Sequence, residues 1–66
     1  MEIILYTTHC PQCRVLESKL KNKNISYTEI TDIDIMQSKG ITFAPALEVN
    51  GDLMDFVTAN KFINNL

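Results

Sequence analysis

Ile3-Ile4-Leu5-Tyr6-Thr7-Thr8-His9-Cys10-Pro11-Gln12-Cys13-Arg14-Val15-Leu16 carries both the fold and the chemistry of this chain. Its first four residues are a continuous apolar run with β-branched and aromatic members, the pattern of a strand buried on both faces. Pro11 suits the first position of a helix, where its missing N–H costs nothing. Beyond it, Cys13, Leu16 and Leu20 recur at helical spacing along one stripe, so a helix is predicted from Pro11 to about Asn22. Lys19, Lys21 and Lys23 lie near its end, where the helix dipole favours cations. The two cysteines therefore fall where a buried strand gives way to a helix.

Working outward, Ile25 to Ile30 reads as a second strand, supported by Tyr27 and Thr28. The long helical connection makes the two strands a parallel pair, as in a right-handed βαβ unit. Asp32 is expected to cap a short helix with Ile33 and Met36 inward, and Gly40 is placed to end it. Asp32-x-Asp34 does not open a calcium loop, because the sixth position of that loop is Gln37 and not glycine. Ala46–Val49 and Leu53–Phe56 flank Asn50-Gly51-Asp52, and Asn-Gly between apolar runs signals a hairpin. Thr58 is the expected cap of a last helix, with Ala59, Phe62, Ile63 and Leu66 on its apolar face. The order β-α-β-α-β-β-α predicts a single α/β domain over residues 1–66, a four-stranded mixed sheet flanked by three helices.

The totals narrow the function. A chain of 66 residues buries only roughly 60% of the surface its unfolded form exposes, so a deep catalytic cavity is not expected and a partner must meet an exposed site. The net charge of −2 argues against a nucleic-acid role driven by phosphate contacts. No apolar run is long enough to span a bilayer. The start lacks the basic region of a signal peptide, so a cytoplasmic location is expected, and Asn24-Ile25-Ser26 is read as a chance match to a glycosylation acceptor.

Two cysteines are too few for a disulfide scaffold, and a bond between Cys10 and Cys13 closes so short a loop that it stabilises the fold little. In a reducing compartment such a pair points to redox or metal chemistry. Disulfide exchange needs a thiolate, and the unpaired N–H groups of a helix start favour negative charge. Cys10, at the cap position, is the expected nucleophile. Cys13, one turn on, is the expected resolving thiol, which attacks a mixed disulfide on Cys10 and releases the reduced partner. His9 and Arg14 are candidates for electrostatic support. Thr42-Phe43-Ala44-Pro45 is a second notable segment, since a proline belongs at the start or edge of a strand.

Cys10-Pro11-Gln12-Cys13 after a first strand, with Pro45 before the third, resembles the glutaredoxins and more closely the small NrdH-type redoxins, over nearly the whole chain. The resemblance implies a thioredoxin-like, glutaredoxin-type fold and a dithiol protein-disulfide reductase. It implies that Pro45 is cis and packs beside the dithiol, and that the Ala44 backbone pairs with a bound substrate. Pro11, Gln12, Thr42, Phe43, Ala44 and Pro45 become the substrate strip. No cofactor is expected beyond the redox-active Cys10–Cys13 disulfide, and no resident metal. Electrons are expected from thioredoxin reductase or glutathione, the partner is a disulfide-bearing protein such as ribonucleotide reductase, and the chain is expected to act as a monomer, without nucleic acid or membrane. The chain departs from the family in lacking a basic residue in Tyr6-Thr7-Thr8-His9 and a Gly-Gly pair in Leu53–Thr58. It offers Asp52 and Asp55 there instead, and Gln12 where many glutaredoxins have tyrosine. These differences favour thioredoxin reductase over anionic glutathione as reductant.

The rival from another class is a soft-metal, copper-binding carrier of ferredoxin-like fold, which also places a C-x-x-C pair between a first strand and a first helix. That fold has the order βαββαβ and ends in a strand, whereas Ala59–Leu66 reads as a helix, and Thr42–Pro45 has no role in it. A closed zinc site needs four ligands, and only Cys10, Cys13 and His9 are at hand. Cluster bridging between two chains has nothing specific here, and a non-catalytic interaction domain would leave the dithiol idle.

Overall fold

A computed structural model describes residues Met1–Leu66. The elements follow as β1 (Ile3–Tyr6), α1 (Pro11–Asn22), β2 (Thr28–Ile30), α2 (Ile33–Ser38), β3 (Ala46–Val49), β4 (Asp52–Met54) and α3 (Phe56–Asn64). The chain is a small α/β domain with one mixed sheet in the order β2-β1-β3-β4. β1 pairs in parallel with β2 and antiparallel with β3, and β3 pairs antiparallel with β4.

Alternation along β1 divides the core. Ile3 and Leu5 join Leu16 and Leu20 of α1, Leu47 and Val49 of β3, and Ala59 and Ile63 of α3. Tyr6 joins Met36, Ile41 and Ala46, with Ile4 and Ile30 packed against them. Successive strand side chains point to opposite faces, so α1 and α3 cover one face and α2 the other. This explains the unbroken apolar run of β1. Lys19 ties the two helices on the first face, its Nζ donating to the side-chain oxygens of Asn60 and Asn64. No helix is long and apolar enough to cross a membrane.

Several boundaries differ from those expected. The second strand begins at Thr28, not Ile25. Asn24 adopts a left-handed φ of 56°, and the Ile25 N–H donates to the Leu20 carbonyl. The chain leaving α1 is thus committed to closing the helix end. α2 ends in the same way at Gly40, with φ of 74°, and the Ile41 N–H donates to the Met36 carbonyl. Met36 is buried as expected, but Ile33 is 50% exposed, because a helix of six residues has room for little more than one inward position. The hairpin turns on Asn50 and Gly51, both with positive φ, so β4 starts at Asp52 and stops at Met54. Asp55 is then free to cap α3. It accepts the Thr58 N–H, so Thr58 is inside the helix and not its cap. Leu66 lies past the end of α3 and is exposed, whereas Ala59 and Ile63 are buried.

Candidate active site

The loop from β1 to α1 is built on hydroxyls. Thr7 is fully buried. Its Oγ1 donates to Glu17 Oε2 at 2.8 Å and accepts the His9 N–H at 3.0 Å. This holds a sharp bend in which His9 takes a φ of 60°, and it delivers Cys10 to the cap of α1. There the Cys10 sulfur accepts the Cys13 N–H at 3.2 Å, satisfying one of the backbone donors that every helix start leaves unpaired. Thr8 Oγ1 lies 3.9 Å from Cys13 Sγ.

The two thiols are free, and their exposures differ. Cys10 is part-exposed, whereas Cys13 is buried at 0% exposure. The helix-start argument directs acidity to Cys10, but the lowered value in the structure is that of Cys13. Burial pushes the Cys13 thiol up. The hydrogen bond with Cys10, then those with Thr7 and the Thr8 backbone, outweigh it and bring it down to about 7 from 9.0. Access distinguishes the two sulfurs, because only Cys10 reaches the surface.

The expected substrate strip is brought together. The Ala44–Pro45 peptide is cis, and Cys10 Sγ points at the Ala44 carbonyl 4.0 Å away. Pro45 is buried, whereas Phe43 is 43% exposed. Two grooves meet at Phe43 and Ala44. One, of about 360 Å³, runs from Thr8 past Ile33, Met36 and Ile41. The other, of about 650 Å³, lies between Gln12, Phe43–Pro45 and the stretch Leu53–Thr58. Thr42 lines the first groove and Gln12 the second.

His9 and Arg14, the candidates for electrostatic support, make their contacts within the loop. His9 Nδ1 sits 3.2 Å from Glu17 Oε2, and Arg14 Nε donates to the His9 carbonyl at 3.2 Å. Both stiffen the loop. His9, Glu17 and Glu29 also gather closely enough to be considered as metal ligands, but the half-buried Glu17 and the exposed His9 are accounted for by their loop contacts. Sequence reasoning passed over Thr7, Thr8 and Glu17 as site residues. Two hydroxyls directly before a C-x-x-C were the available signal. It also read Asp55 only as a charge, not as the cap of α3.

Comparison with protein families, with curated proteins and with solved structures returned no match.

Proposed function

We propose that this chain is a thiol–disulfide oxidoreductase of thioredoxin-like, glutaredoxin-type fold that reduces protein disulfides. The observation that carries the reading is the placing of an accessible sulfur at a helix cap, with a second, buried sulfur one turn on and linked to it by hydrogen bonding. The Cys10 thiolate attacks one sulfur of the substrate disulfide. A new S–S bond forms to Cys10, the substrate bond breaks, and the departing sulfur leaves with the electron pair and takes up a proton. The Cys13 thiolate then attacks Cys10 Sγ and expels the second substrate sulfur. Two electrons pass to the substrate, and the protein is left with a Cys10–Cys13 disulfide. A partner reductant must restore the dithiol.

The burial of Cys13 one turn from the part-exposed Cys10 supports this order of events, because a resolving thiol has to reach only the mixed disulfide and not the surface. The open grooves beside Phe43 and Ala44 suit a protein segment better than an enclosed small molecule. A copper carrier has less support, since the last element is the helix Phe56–Asn64 and Pro11 stiffens the cysteine turn. We take the electron source to be a flavoprotein of the thioredoxin-reductase kind, the setting to be cytoplasmic, and ribonucleotide reductase to be a candidate target on the strength of the family resemblance.

The test is a reductant comparison. The oxidised protein is supplied with NADPH and thioredoxin reductase, or with NADPH, glutathione and glutathione reductase, and NADPH consumption is followed with insulin as disulfide substrate. Turnover with the first system and slower turnover with the second is expected. No turnover with either removes the oxidoreductase reading, and faster turnover with glutathione reverses the choice of reductant.

A further inference from the structure

The larger groove has an unusual balance of chemistry. It reaches the dithiol through Gln12, Ala44 and Pro45. Phe43, Leu53 and Val57 on it are 43%, 44% and 59% exposed, so apolar surface stands open beside the reactive sulfur. The one charged residue in its lining is Asp55, and the smaller groove across Ala44 has no charged residue. We infer that the larger groove seats an extended segment of the disulfide-bearing partner, with an apolar side chain next to its reactive cysteine and a basic side chain reaching Asp55. This rests on the oxidoreductase reading above and adds the kind of substrate that the site selects.

Asp55 is suited to that task by its bonding. Its Oδ1 accepts the Thr58 N–H at 2.9 Å. A carboxylate has about four acceptor positions, so capacity remains for an incoming guanidinium or ammonium. The same bond holds the Asp55 carboxyl below the usual carboxylate range, so it stays charged wherever the dithiol is active. The cap also fills the place at the start of α3 where a foreign anion would otherwise find backbone donors. An acidic thiol or peptide meets a fixed negative charge there, and a basic one meets a partner.

A set of short peptide disulfides tests this. Each is the symmetric disulfide of a peptide with one cysteine, a leucine beside it, and Arg, Gln or Glu in the adjoining positions. The fully reduced protein is mixed with each at low ionic strength, and loss of its thiols is followed in a single turnover. The Arg peptide should react fastest and the Glu peptide slowest, with roughly a tenfold span that shrinks in salt. Asp55→Asn keeps a good helix cap, since Asn ranks with Asp there, and should compress the span to about twofold. An Arg-to-Glu span unchanged by this substitution, or no span in the natural protein, overturns the substrate inference while the dithiol chemistry stands. Failure to reduce any of the peptides overturns the oxidoreductase reading itself.

Discussion

Two helices bordering the same groove begin with a residue whose side chain caps the backbone three residues on, and the two caps differ in everything but geometry. At α1 the cap is the Cys10 sulfur on the Cys13 N–H at 3.2 Å, and at α3 it is the Asp55 carboxylate on the Thr58 N–H at 2.9 Å. The backbone offers the same partial positive charge at both places. A carboxylate answers it with a fixed charge and no covalent chemistry. A sulfur is the weaker acceptor, but it can exchange covalent bonds. The cap atom, not the helix, sets the chemistry that a helix start can offer.

The largest effect should come from breaking the sulfur cap. Cys10→Ser is expected to bring disulfide reduction down to background. Cys13→Ser keeps the attacking thiol and removes the resolving one, so a stoichiometric mixed disulfide with the substrate should accumulate. Mass spectrometry of the intact adducts reads both outcomes. Equal and undiminished activity in the two variants would show that the two sulfurs do not divide the labour.

A smaller effect, read by pH, concerns Cys13, whose N–H the sulfur cap accepts. The folded Cys13 value of about 7 lies below its ordinary 9.0. A group with a depressed folded value contributes stability that is present above the unfolded value and lost as pH falls through the folded one. The reduced protein should therefore gain stability between pH 7 and pH 9 relative to Cys13→Ala. The gain should be of order 1 kcal/mol, less than the shift alone implies because solvent lies close to the pair. Urea midpoints at the two pH values measure it, and parallel behaviour of the two proteins would contradict the assignment. Iodoacetamide labelling should fall on Cys10 before Cys13, because Cys13 has no exposed surface.

The smallest effect concerns the carboxylate cap. Asp55→Ala removes the bond to Thr58 and should lower the melting temperature by a few degrees, whereas Asp55→Asn should leave it nearly unchanged. Thermal unfolding followed by circular dichroism distinguishes them, and equal melting points for Ala and Asn would mean that the cap contributes nothing to α3.

The strands, helices and dithiol were legible where the signal is local. The run Ile3–Tyr6, Pro11 after Cys10 and Asn50-Gly51 each act through their own backbone and immediate neighbours, and each sits where the sequence puts it. Ile25 was misread because its β-branched side chain suggests a strand, while its N–H was needed by the end of α1. Asp55 and Thr58 are both good caps, and the choice between them depended on where the hairpin let β4 stop. The groove was the least legible feature, because it joins Gln12 to Leu53–Thr58 through the packing of α1 and α3 on one face of the sheet. No local pattern encodes that meeting.

The outer strands of the sheet have a consequence for life at high concentration. β2 and β4 are only three residues long, and Glu29 and Asp52 on them are exposed. Edge strands that are short and charged give a neighbouring molecule little to pair with, which suppresses edge-to-edge aggregation. The longer strands β1 and β3 lie inside, each with a partner on both sides. A chain that leaves apolar side chains exposed beside its dithiol thus offers neighbouring copies only short, charged sheet margins as a hydrogen-bonding template.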